Sequence, residues 1–128
     1  MPPPEALIVD DDSDSRLALS ELLRAHGYTV REAENGKVAL HMIAERLPSV
    51  LLLDLEMPVM NGWDVMAFLA RVGATDEIPI VVLSAGASAP PGVPFVRKPC
   101  RADVLVEMID RSVKGEHRSS ASEPARPS

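Results

Sequence analysis

Three short runs in this chain are apolar at nearly every position: residues 6–9 (Ala-Leu-Ile-Val), 49–53 (Ser-Val-Leu-Leu-Leu) and 78–83 (Ile-Pro-Ile-Val-Val-Leu). A strand with one wet face alternates apolar and polar residues. These do not, so both of their faces must be covered, which points to a parallel sheet between helices. Residues 28–33 read as another strand and Phe95-Val96 as a short fifth one. Pro79 is tolerable near the start of its strand. Between the runs lie stretches with helical spacing: Leu17, Leu19, Leu22 and Leu23, stopped by Gly27; Val38, Leu40, Met42 and Ile43, bounded by Pro48; Val65, Met66, Phe68 and Leu69 after Gly62; and Val104, Leu105, Met108 and Ile109 within 101–112. Ser13 or Asp12 can cap the first, and Glu34-Asn35-Gly36 is a turn before the second. Strand and helix alternate along the chain, which predicts an α/β fold with a doubly wound, five-stranded parallel sheet.

The runs end in polar residues. Asp10 and Asp11 follow the first, Asp54 the third, Ser84 the fourth, and Lys98 comes just after the fifth. In open parallel sheets ligands bind at the carboxyl ends of the strands, near the switch in strand order. The sequence therefore predicts three carboxylates, a hydroxyl and an ammonium at one edge. Two carboxylates 4 Å apart repel by about 1 kcal/mol even in bulk water, and by several times that at a protein surface. Such a cluster needs a cation or shifted pKa values. Its donors are all oxygens, which suits a hard ion such as Mg²⁺, or Mn²⁺ in its place. A metal, a lysine and a hydroxyl around one carboxylate are what a phosphoryl group on that carboxylate would require.

Composition excludes other classes. A chain of 128 residues with 46% hydrophobic residues is the size of one ordinary domain with a real core. A net charge of −6 argues against a nucleic-acid surface. The single cysteine, Cys100, rules out an internal disulfide and fits a reducing compartment. No signal peptide or membrane-spanning run is visible, so the expectation is a cytoplasmic protein with no membrane partner. Residues 1–5 read as an N-terminal extension, 6–113 as the domain, and 114–128, rich in Ser, Pro, Arg and Glu, as a disordered tail.

The segments LIVDDD (7–12), LLLDLEMPVMNG (51–62), VVLSA (81–85) and VRKP (96–99) resemble, in order, the motifs of response-regulator receiver domains of two-component signalling, over residues 6 to about 113. Each motif alone is weak; the four together are highly specific. The resemblance implies a flavodoxin-like fold with five strands and normally five helices. It implies that Asp54 accepts a phosphoryl group from a sensor histidine kinase or a histidine phosphotransfer protein. It implies that Asp11, Asp54 and the Glu56 backbone carbonyl hold Mg²⁺, with Asp10 helping through water. It makes Ser84 and Phe95 switch residues, pairs Lys98 with phosphate and aspartate, and implies a cis Lys98-Pro99 bond. Such a protein is a phosphoacceptor rather than an enzyme.

Taken singly, these residues have plainer readings: Asp54 a strand-end cap, Asp10 to Asp12 a helix N-terminus favouring acids, Ser84 and Lys98 solvated surface, Phe95 core. Their convergence on one sheet edge favours the functional one. His26, His41 and His117 share no metal-like spacing and read as surface residues. Met57, Met60, Met66 and Met108 look like packing, and Cys100 like a small core filler. A haloacid-dehalogenase-like phosphohydrolase with Asp10 as nucleophile would use Asp10, Asp12 and Asp14 of DDDSDS, but a cap insertion and a late acidic pair are missing. A calcium loop through Asp10, Asp12, Asp14 and Glu21 would need glycine where Ser15 stands. A pseudo-receiver that only binds partners is disfavoured by the intact acidic set.

The chain departs from the family pattern in three places. Glu56 puts another carboxylate near the site, and Gly86 puts no side chain there. Between Ser84 and Lys98, Pro90, Pro91 and Pro94 with Gly86 and Gly92 disfavour a helix, so the fourth helix should be short or absent. Many receivers dimerise through the fourth helix, fifth strand and fifth helix. The expectation here is a single-domain regulator, monomeric, whose rearranged 85–95 loop is read by a downstream target protein.

Overall fold

The computed structural model describes residues 2–57, 59–74, 77–86 and 92–115. Its elements run β1 (Glu5–Val9), α1 (Ser13–Ala25), β2 (Thr29–Ala33), α2 (Gly36–Glu45), β3 (Val50–Asp54), α3 (Gly62–Arg71), β4 (Ile80–Ser84), β5 (Phe95–Arg97) and α4 (Ala102–Lys114). The five strands form one sheet in the order β2-β1-β3-β4-β5, and every neighbouring pair is parallel. The direction of strand progression reverses between β1 and β3, which puts the switch point beside Asp10 and Asp54.

β3 and β4 are buried at all five positions, which is why their sequences do not alternate. The alternation exists in space instead. Leu7, Val9, Leu51, Leu53 and Val82 face one layer, against Ala39 and Ile43 of α2 and Val65 and Leu69 of α3. Ala6, Ile8, Val50, Leu52, Val81 and Leu83 face the other, against Leu23 of α1 and Leu105, Val106 and Ile109 of α4. Each fully buried Val, Leu or Ile among them contributes about 1.5–3 kcal/mol of transfer free energy.

Three helices begin on side-chain caps. Asp12 accepts from Ser15 N–H at 3.0 Å, Asn35 from Val38 N–H at 2.9 Å and Asn61 from Asp64 N–H at 2.9 Å. The two Asn-Gly pairs are thus helix starts. Gly62 is required by close approach: a Cβ there would lie 2.6 Å from the Asp54 carbonyl oxygen and 2.9 Å from Leu55 Cα. The loop after β3 therefore folds tightly against the strand end that carries Asp54.

Between β4 and β5 none of the described residues is helical, as the prolines predict. Residues 87–91 lie outside the described residues, as do His117 and the tail from 116. β1 begins at Glu5, one residue before the apolar run, and Glu5 pairs with Arg31 at 3.1 Å and Arg46 at 2.6 Å. Met57 is buried, and Met60, Met66 and Met108 pack against the two layers. His26 and His41 are exposed. Cys100 corrects an expectation: it is exposed, not a core filler. It stands in the loop ahead of α4, and the layer under that helix begins only at Leu105. Leu17, Phe68 and Val104 are exposed as well, because each points off the buried stripe of its helix.

Candidate functional site

Asp54 is the last residue of β3, and Asp10 follows β1 in the neighbouring strand. Both are buried although ionisable, at 3% and 2% exposure. A buried carboxylate at a strand end is costly unless something compensates for lost solvent. Local backbone supplies part: Asp54 Oδ1 accepts from Glu56 N–H at 3.0 Å, and Asp10 Oδ1 accepts from Asp12 N–H at 2.9 Å. Lys98, just past β5, supplies the charge. Its Nζ lies 3.3 Å from Asp54 Oδ2 and 3.6 Å from Asp10 Oδ2. Its own backbone N–H donates to the Ser84 carbonyl at 2.9 Å, which carries the parallel pairing of β4 and β5 up to the lysine.

One ammonium does not balance the cluster. Asp10, Asp11 and Asp54 each offer a carboxylate oxygen, and these lie within 4.8 Å of one another. Burial pushes the Asp54 carboxyl up to about 6, against the Glu56 N–H bond and Lys98, which pull it down; Asp10 adds to the rise. Lys98 is desolvated, yet the Asp54 and Asp10 charges more than offset that and hold it above the ordinary lysine range. The site is therefore short of positive charge. Its donors are carboxylate oxygens, and Asp11 is exposed, so a bound ion could keep waters. The residues fit Mg²⁺ or Mn²⁺.

Ser84 ends β4 fully buried. Its hydroxyl donates to Glu56 Oε2, and its Oγ accepts from Gly86 N–H at 2.9 Å. Phe95, at the start of β5, is half-buried and packs against the layer under α2 and α3. The strand ends thus bring together Asp10, Asp11, Asp54 and Lys98, and join Ser84 to Glu56. Two features were not anticipated from sequence. One is the Glu56 side chain, expected near the site but found bound to Ser84 and, through Oε1, to Ala85 N–H at 3.2 Å. The other is Arg16, whose Nη1 donates to the Asp10 carbonyl at 2.7 Å while its Nε pairs with Glu32 at 3.2 Å. Its place one turn into α1, beside the first strand end, was the available signal.

A family model described as "Response regulator receiver domain" matches residues 6–110. The chain is 39% identical over 85 residues to the transcriptional regulatory protein PrrA of Mycobacterium tuberculosis, covering 66% of this chain and 36% of that protein. It is 44% identical over 79 residues to the response regulator MprA of Mycobacterium ulcerans, covering 62% and 33%. The chain therefore spans about a third of the length of these curated relatives. Among solved structures, the signal receiver domain of a signal transduction histidine kinase from Syntrophus aciditrophicus superposes with a TM-score of 0.80 at 27% identity, over 88% of this chain and 91% of that one. The Vibrio cholerae chemotaxis protein CheY4 gives 0.77 at 25%, over 85% and 98%.

Proposed function

The chain belongs to the response regulator receiver domain family, and from that premise we propose that Asp54 is its phosphoacceptor, with a divalent cation at Asp10, Asp11, Asp54 and the Glu56 carbonyl. The observation that carries this is the buried Asp54 carboxylate at the switch point of the sheet, held by Lys98 at 3.3 Å with a second buried carboxylate beside it. A carboxylate oxygen of Asp54 attacks the phosphorus of a phosphohistidine; the new O–P bond forms as the N–P bond breaks, and the imidazole nitrogen leaves with the electron pair. Mg²⁺ or Mn²⁺, when bound, neutralises charge on the phosphoryl oxygens. Lys98 holds the carboxylate before transfer and offers its ammonium to the phosphoryl group afterwards. Ser84 and Phe95 carry the switch. The phosphoryl donor is a histidine kinase or a histidine phosphotransfer protein, and the output is contact with a target protein. The domain is a phosphoacceptor and turns over no separate substrate.

The rival sites lose their geometry. Asp12 caps α1 through Ser15 N–H, and Asp14 lies within the first turn of that helix. Neither residue belongs to the cluster of Asp10, Asp11 and Asp54, as a calcium loop or an Asp10 nucleophile would want. The test is uptake of acid-labile phosphate from acetyl phosphate with Mg²⁺. The Asp54→Asn protein should take up none, because an amide is no acceptor; uptake at the wild-type rate would overturn the assignment.

A further inference from the structure

Glu56 reaches from the loop after β3 across to the end of β4. Its Oε2 accepts the Ser84 hydroxyl hydrogen and its Oε1 accepts Ala85 N–H at 3.2 Å. One carboxylate thus takes two successive donors at that strand end. Room for it comes from Gly86: a Cβ there would lie 3.3 Å from both Glu56 Oε2 and Ser84 Oγ. The same Glu56 donates its backbone N–H to Asp54 Oδ1 at 3.0 Å, so the acceptor and the carboxylate on the switch hydroxyl are two residues apart on one tight loop.

We propose that Glu56 is a resting-state latch on Ser84, which a phosphoryl group on Asp54 must displace to gain the Ser84 O–H and Ala85 N–H. This rests on Asp54 being the phosphoacceptor. A carboxylate and a phosphoryl group are both anionic acceptors, and one hydroxyl hydrogen cannot serve both. Their like charges also repel. The two arrangements therefore exclude each other, and the segment after β4 follows whichever anion holds its donors. That makes the Ala85-Gly86 backbone a two-position element biased by phosphorylation. Glu56 acts here as a positioning residue, because it works through Ser84.

The probe is beryllofluoride with Mg²⁺, titrated calorimetrically onto the full chain in wild type, Glu56→Ala, Ser84→Ala, the double variant and Gly86→Ala. Glu56 is exposed, so its replacement leaves the core intact. Glu56→Ala should bind on the order of tenfold more tightly, the equivalent of one charge-assisted hydrogen bond no longer broken on binding. In the Ser84→Ala background most of that gain should vanish. Gly86→Ala keeps the Glu56 charge but crowds its Oε2, and should shift affinity the same way. An unchanged affinity in Glu56→Ala, or an equal gain in both backgrounds, overturns the latch and leaves Glu56 inert or a mere repelling charge. If neither wild type nor Glu56→Ala binds beryllofluoride, or if Asp54→Asn binds it as well as wild type, the phosphoacceptor assignment fails and the latch falls with it.

Discussion

Asp54 is an ionisable residue whose folded environment resists its ionisation. Burial pushes its carboxyl up to about 6, from 3.8 for an ordinary aspartate. The sign follows from linkage: a raised carboxyl pKa costs nothing below about 4, costs progressively more as pH rises through about 6, and is constant above that. Without divalent ions, Asp54→Asn should therefore stabilise the protein at pH 7.5 by about 1–3 kcal/mol, and the gain should shrink toward pH 4.5. Calorimetry at the two pH values checks this; an equal or larger gain at low pH would contradict it. The placement of Asp10, Asp11, Asp54, Ser84 and Lys98 at strand ends was legible because they stand at or just past the apolar runs, and a parallel sheet delivers such positions to one edge. The Glu56–Ser84 contact was not, since it depends on a side-chain conformation that spacing does not fix. Cys100 was misplaced for a related reason: residue type favours burial, but only the path of the chain shows that position 100 lies above the core.

Among the elements, β3 and β4 were the plainest to read, since full burial writes itself as an unbroken apolar run. The helix faces were less plain. Leu17 and Leu19 cannot share one helical face, and the structure half-buries Leu19 while leaving Leu17 outside. That none of the described residues between β4 and β5 is helical was legible because proline removes donors whatever the tertiary context. One tie between elements was hidden: Tyr28, just ahead of β2, donates its hydroxyl to Asp110 Oδ1 on α4 at 2.6 Å. Burial, the hydrogen bond to Asp110 and the Asp110 charge push the phenol well above the usual tyrosine range. Tyr28→Phe should cost about 1.5–3 kcal/mol, the range for a hydrogen bond to a charged group. Urea unfolding would show it as a lower midpoint at unchanged slope; an unchanged midpoint would mean that the pair contributes nothing.

At the scale of the whole molecule, what distinguishes this chain is the segment between β4 and β5. A stable protein interface buries ~800 Å² on each partner. Here β5 is three residues long, and the described residues next to it carry no helix on the β4 side. Among the described residues that edge presents no continuous helical surface on which a symmetric pair would close. We expect sedimentation to give a monomer at micromolar concentration, with and without beryllofluoride and Mg²⁺; a shift to dimer on activation would contradict it. The functional account depends on one chemical assignment. The most direct test is peptide mapping by mass spectrometry after incubation with acetyl phosphate and Mg²⁺. A single phosphoryl adduct on Asp54, absent when Mg²⁺ is chelated, is the predicted result. An adduct on Asp10, or none on Asp54 under conditions that leave the fold intact, would contradict it.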